Sequence, residues 1–182
     1  MPLDEVVKII NDKFILFTKQ GGIKMNIRNT VKAIIIHNDK ILLNKCEDEK
    51  FGAYFSLPGG GQHVYETLHE AVVREVREET GFTVTPTRFA ALCETIFTNK
   101  AYEKTHPNNM HRVYHVFICE ITNAERILPT EKDKQQTACE WVPVDFITAS
   151  KNIRLFPAAV SECLNEIIAG TSPIFLGTNY QN

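Results

Sequence analysis

Between residues 31 and 46 the chain reads VKAIIIHNDKILLNKC, two aliphatic and β-branched runs on either side of the polar pair Asn38-Asp39. That pattern predicts a β-hairpin with a tight turn. EDEKFGAY (47–54) reads as a loop, and SLPGGGQ then brings three consecutive glycines at 59–61. The period changes after that. Thr67 with Glu70 three residues on forms a capping box, which predicts a helix start, and Gly81 sits where a C-cap glycine would end it. TRFAALCETIF (87–97) predicts a strand and TNKAYEKTHPNNM (98–110) a polar loop, suited to a lid or specificity role. RVYHVFICEI (112–121) is apolar on both faces, as expected of a central strand covered on both sides. After a polar linker, TACEWVPV (137–144) predicts another strand. FPAAVSECLNEIIAG (156–170) predicts one helix, with Pro157 in its first turn and Gly170 past its end. The last segment, TSPIFLGTNYQN (171–182), yields no element and is treated as a tail. Strands mixed with helices, without internal repeats, imply a single α/β (α+β) layered domain over 25–170.

The first 24 residues stand apart. KQGGIKM (19–25) admits codons containing AAGGAGGT shortly before an ATG, as a bacterial ribosome-binding site would. The preceding stretch is rich in Ile, Lys, Asn and Phe, which AT-rich DNA encodes. Two expectations follow: residues 1–24 are a translated upstream region with Met25 as the natural start, or they are an N-terminal extension. The nucleotide sequence and mass spectrometry of the native N-terminus separate them.

On the helix predicted after Thr67, REVREETG (74–81) sets Glu75, Glu78 and Glu79 at spacings i, i+3 and i+4. Like charges so placed repel, and two of them lie near the negative end of the helix dipole. With Glu75 at 0° on a helical wheel, Leu68, Ala71, Val72 and Val76 fall on the same side as all three glutamates. The carboxylates therefore continue the stripe that faces the core, which argues against a solvated acidic face. Arg74 can neutralise one charge but not three. Partly desolvated carboxylates need compensation, and a hard divalent cation with oxygen ligands supplies it. The glycines at 59–61 bring backbone close to the helix start, either as a tight turn or to offer a carbonyl ligand.

Bulk properties constrain the partners. A chain of 182 residues, 43% hydrophobic, is long enough for one substantial core. A formal charge of −2 gives no basic field for polymeric nucleic acid. The longest apolar runs, AIII (33–36) and FILF (14–17), are too short to span a bilayer. Five cysteines without a CxxC spacing, set among apolar neighbours, read as buried free thiols in a reducing, cytoplasmic setting.

Gly60, five residues, Glu66, seven residues, then Arg74-Glu75-Val76-Arg77-Glu78-Glu79-Thr80-Gly81-Phe82 resembles the Nudix box (MutT-like hydrolases) at every defined position. The flanks agree: a hairpin before it, LPGG leading in, and EWVPV and LFP with a helix after it. The resemblance implies a Nudix fold, a mixed sheet between helices with the box as loop–helix–loop. It implies hydrolysis of a pyrophosphate bond in a nucleoside diphosphate linked to another moiety, with Mg2+ or Mn2+ as cofactor. It further implies that Glu75, Glu78, Glu79 and the Gly60 carbonyl bind metal, while Glu66 and Arg74 pair to brace the loop, with Gly81 as structural support.

The proton acceptor is expected to be Glu75, with Glu120, a carboxylate closing an apolar strand, as a secondary candidate. Lys45, at the end of the second strand, is either a phosphate contact or a solvated lysine, and Tyr54 and Phe55 either stack on a base or pack in the core or its rim. His106, His111 and His115 lack a zinc spacing. Family members acting on ADP-ribose often carry a proline a short way past the box, and those acting on diadenosine polyphosphates a tyrosine. ETIFTNK (94–100) has neither. The coenzyme A pyrophosphatase pattern is also absent, so the substrate is left open beyond a small nucleotide-type diphosphate. Two alternatives keep the fold: a non-catalytic nucleotide sensor, and an isopentenyl-diphosphate-type isomerase using Cys46. A homodimer is also left open.

Overall fold

The hairpin strands, β1 (Ile27–His37) and β2 (Lys40–Asp48), are joined through Asn38 and Asp39, both at positive φ. A tight turn of that hand suits the strand twist. The computed structural model describes residues 27–49, 52–106, 109–123, 125–131, 133–149 and 153–181. The two readings of residues 1–24 lie outside this range.

The remaining elements are β3 (Gly52–Ser56), α1 (Leu68–Thr80), β4 (Thr83–Phe97), α2 (Lys100–Thr105), β5 (His111–Asn123) and β6 (Gln136–Pro143). They are followed by α3 (Val144–Ala149), β7 (Leu155–Phe156), α4 (Ala158–Glu162), α5 (Leu164–Ala169) and β8 (Ile174–Gln181). The eight strands form a mixed sheet in the order β7-β3-β2-β1-β5-β4-β8, with β6 on the other edge of β2. β5 lies between β1, to which it is parallel, and antiparallel β4, so it is the central strand that its two apolar faces require.

The faces carry separate cores. Val31, Ala33, Ile35, Leu42, Phe117 and Cys119 pack beneath Ala71, Val72 and Val76 of α1. Ile34, Ile41, Leu43 and Val116 pack on the other face against Ile147, Val160, Leu164 and Ile167 of the C-terminal helices. Strand alternation in β1 and β5 thus feeds both layers at once. The result is a mixed sheet sandwiched between helices in a single domain, as expected.

Several local readings are corrected. Residues 47–54 are not all loop: Glu47 and Asp48 end β2, and Gly52 begins β3. The 98–110 segment contains the helix α2, capped by the Asn99 side chain on the amides of Ala101 and Tyr102. The helix expected over 156–170 is two short helices that break at Cys163, because Cys163 leaves helical backbone at φ −115, ψ 15. Phe156 belongs to β7, and Pro157 caps α4 without a side-chain bond. The C-terminal segment supplies β8, parallel to β4 from Ala91 to Phe97. Cys46, Cys93 and Cys119 are buried, Cys139 and Cys163 are half-buried, and none of the five is in a disulfide. Among the described residues, no helix is long and apolar enough to cross a membrane.

Candidate active site

The free edge of β1 is paired by the glycine segment. Ala33 N–H donates to Pro58 O and Val31 N–H to Gly60 O, both at 2.9 Å, and Gln62 N–H donates to Asn29 O at 3.1 Å. Glycine is required by contact at position 59, where a Cβ (φ +129) would lie 2.2 Å from Val31 O; one on Gly60 would meet only the end of the Glu75 side chain, 2.5 Å from Oε2. Helix α1 then starts with the expected reciprocal cap. Thr67 Oγ1 accepts from Glu70 N–H at 3.2 Å, and Glu70 Oε2 accepts from Thr67 N–H at 2.8 Å. It ends at Gly81 (φ 79), whose N–H bonds Arg77 O.

This geometry carries the three glutamates inward. Glu79 is 4% exposed and accepts through Oε2 from Gly59 N–H and from Asn44 Nδ2, each at 2.8 Å. Gln136 completes the support by donating to Asn44 Oδ1 and to Glu79 O. Burial pushes the Glu79 carboxyl up to about 7; the charge of Lys32 and the Gly59 and Asn44 bonds oppose that rise only in part. Burial also raises Glu75, against the pull of Arg74.

Arg74 is saturated. Its Nε and Nη2 donate to Glu66 at 2.7 and 2.9 Å, its Nη1 to Glu75 and Glu78 at 2.8 and 3.0 Å, and its Nη2 also to Gly61 O at 2.9 Å. The bond to Glu66 is the main reason the guanidinium is held charged, and the same bond draws Glu66 down to about 2.

The box opens into a cleft of about 340 Å³ lined by Glu75, Glu78, Glu79, Glu131 and Asp133, with Arg28 and Arg74 opposing them. Among the described residues, five carboxylates face two guanidiniums, one already fully bonded. A wider groove of about 890 Å³ along the outer side of α1 shares Arg74 and Glu78 but not Glu75 or Glu79. The all-oxygen donor set and its surplus negative charge fit a hard divalent cation. In this structure the carboxylates turn onto Arg74, Gly59 and Asn44, and no three acidic, His or Cys side chains among the described residues converge on one point. The Gly60 carbonyl accepts from Val31 N–H and has one lone pair left over.

Two expected residues are not brought to the cleft. Glu120 is exposed on β5 opposite Thr85. Alternation puts it with Val116 and Ile118, on the face away from α1, so it has simply reached solvent where the strand ends. Lys45 is half exposed and pairs with Glu140 at 3.5 Å on the outer face of β2. Its neighbour Asn44 is the residue that meets the box. Tyr54 bonds Gln135, and Phe55 packs on the core.

The sequence reading missed several residues, Arg28 and Gln136 among them. Lys32 is 6% exposed, and its Nζ bonds Leu57 O at 2.8 Å, Ser56 Oγ at 3.4 Å and Gly59 O. A lysine inside VKAIIIH was the available signal. Asn44 was signalled in the same way by an amide in an aliphatic strand. Glu131 and Asp133 carry no local signal, because the segment before β6 reaches the cleft by lying along the end of α1. There Thr130 and Glu131 donate backbone N–H groups to Glu78 O, and Ile127 donates to Gly81 O.

Comparison with known proteins agrees with this frame. The NUDIX domain model matches residues 27–161, and the chain belongs to the Nudix family. It is 51% identical over 51 residues to an ADP-ribose pyrophosphatase of Methanocaldococcus jannaschii, covering 28% of this chain and 30% of that one. It is 28% identical over 123 residues to phosphatase NudJ of Escherichia coli K12, covering 67% and 72%. A NUDIX hydrolase structure from Nitrosomonas europaea superposes with a TM-score of 0.62 at 22% identity, over 81% of this chain and 92% of that one, a likeness of fold. The matched stretch spans about a third of the Methanocaldococcus protein and of a Caenorhabditis elegans relative.

Proposed function

We propose that the chain is a Mg2+- or Mn2+-dependent pyrophosphohydrolase acting on a nucleoside diphosphate linked to a second moiety. The observation that carries this reading is the shortage of positive charge among the cleft's described residues: Glu79 is buried and Glu75 partly so, both are held above the ordinary carboxylate range, and Arg74 is already fully bonded. Relatives named ADP-ribose pyrophosphatase and phosphatase NudJ support the reaction class.

Glu75, Glu78 and Glu79 would hold the cation, with the Gly60 carbonyl as a further ligand. The bound cation would polarise the pyrophosphate and neutralise charge on the leaving phosphate. The chain's own groups do the rest. Glu75 gives one oxygen, Oε1, to Arg74, leaving Oε2 beside Gly60 to accept the proton of an attacking water. Arg74 and Glu66 keep the loop and helix in register for that contact. Arg28, whose guanidinium rests on Gly61, is an exposed positive group of the cleft and would face the anionic substrate.

The isomerase alternative fits less well. The Cys46 thiol is buried and pushed up to about 11 by that burial, which makes it a poor proton-transfer group near neutrality. A non-catalytic sensor would not need all three glutamates, and all are present. The test is a panel of nucleoside diphosphate derivatives, including ADP-ribose, dinucleoside polyphosphates and nucleotide sugars, incubated with Mg2+ and resolved by product chromatography. Release of a nucleoside monophosphate with a phosphorylated second product is the expected result. No cleavage of any member with either metal would overturn the reading.

A further inference from the structure

Lys32 occupies an unusual position. Its ammonium is buried and its bonds are to neutral groups, the carbonyls of Leu57 and Gly59 and the hydroxyl of Ser56, while Glu79 and Glu75 lie within its electrostatic reach. The glycine segment lies along β1 with its carbonyls alternating in direction. Those of Pro58 and Gly60 meet the β1 amides, and those of Leu57 and Gly59 meet Lys32. Every carbonyl from Leu57 to Gly60 is thereby fixed. In a trans peptide the N–H points opposite to the carbonyl of the same plane. With Gly59 O turned to Lys32, the Gly60 N–H is turned away from it, and Gly60 itself lines the cleft. One peptide earlier, Gly59 N–H is delivered to Glu79.

We infer that Lys32 is a positioning residue of the cleft: it sets the peptide orientations of Gly59 and Gly60, which hold Glu79 in place and present the Gly60 amide toward the substrate's phosphates. This rests on the hydrolase reading, although its structural half can be measured without it. A lysine that merely satisfied two carbonyls would affect stability alone. A positioning lysine acts on the Gly59 amide and on turnover.

The test uses the full chain as wild type, Lys32→Met and Lys32→Gln, compared by thermal melting, by 15N-resolved amide spectra and by steady-state kinetics on the best substrate of the panel. In the variants the Gly59 amide resonance moves and its exchange protection drops by tenfold or more. kcat falls about a hundredfold, the scale set by misplacing a site by an ångström, while KM changes less than threefold. Lys32→Gln, which still donates to one carbonyl, falls between wild type and Lys32→Met. Wild-type kcat in Lys32→Met overturns the inference. So does an activity loss that follows the unfolded fraction while the Gly59 amide stays unmoved, or failure of both variants to fold, since Lys32 would then be a stability element. If wild type cleaves nothing in the panel, the functional reading fails, and the Gly59 amide still decides whether Lys32 sets the turn.

Discussion

Arg74 and Glu66 meet in a two-point ion pair, Nε to Oε1 at 2.7 Å and Nη2 to Oε2 at 2.9 Å, across the junction of the glycine segment and α1. Both side chains are largely buried, and Glu66 Oε2 also accepts from His63 N–H. Planar pairs of this kind fix geometry as well as contributing energy. Glu66→Gln should therefore loosen residues 61–66 and lower stability by about 1–2 kcal/mol. Turnover should fall less than in any variant of the three inward glutamates. The Glu66 carboxyl is held down at about 2, so its contribution is complete above the unfolded value near 4.5 and is lost as pH falls toward 2. Acid titration of melting temperature should show a shallower decline for Glu66→Gln than for wild type in that window.

Glu79 has the opposite sign. Its folded value is raised to about 7, so between about 4.5 and 7 the folded state binds the extra proton. In metal-free buffer, stability should fall as pH rises through that window, by up to about 3 kcal/mol. Glu79→Gln should remove this slope and be more stable than wild type at pH 8. Divalent cation should restore the wild type at pH 8 and leave the variant unchanged. In turnover assays Glu75→Gln and Glu79→Gln should each lose about a hundredfold or more. Near-wild-type kcat in either at saturating Mg2+ would remove the metal-ligand assignment.

Neighbouring glycines should fail differently. Gly59→Ala puts a methyl on Val31 O at a backbone angle that side chains avoid, and should cost at least about 3 kcal/mol. Gly60→Ala meets only the end of the Glu75 side chain, so the fold should survive while the carboxylate is displaced and kcat collapses. Denaturant melts set beside specific activity of the folded fraction will separate the two.

The strand residues offer a matched comparison. Asn44→Ala removes a donor from buried Glu79 and should cost about 1–3 kcal/mol along with much of the activity. Lys45→Ala loses a surface pair worth less than about 1 kcal/mol and should keep kcat within twofold. Glu120→Gln should share the wild-type acidic limb, with kcat within about tenfold. A thousandfold loss there would show that the exposed end of β5 reaches the chemistry after all.

What could be read from the chain was whatever is local. Thr67, Glu70 and Gly81 announce the ends of α1 because capping bonds span three or four residues, and the wheel placed Glu79 inward because helical period is local too. Lys32 and Asn44 have no such advantage. In a strand, facing is known only after the partners are known, and the partners of Lys32 lie on a segment that pairs with β1 through irregular glycine backbone. Lys45 carries the charge that marks a candidate phosphate contact and Asn44 does not, although the pleat sends the two to opposite faces. Glu131 and Asp133 reach the cleft through tertiary hydrogen bonds to Glu78 O and Gly81 O, which leave no trace in local composition. The break at Cys163 and the pairing of β8 depend on packing against β4 and the C-terminal core in the same way.

The parallel pairing of β1 with β5 has a consequence for how the molecule is made. Ile27 lies beside His111 and Ile35 beside Cys119, so β1 meets its long partner roughly eighty residues later in synthesis, several seconds at about 5–20 residues per second. During that interval the nascent chain can close the β1–β2 hairpin and nucleate α1 from its own caps. The run Ala33–Ile36 meanwhile stays open to chaperones and to other chains. Glu79 is in hand early, but its cradle is completed only when the ribosome has passed Gln136, whose side chain bonds Asn44 and Glu79 O.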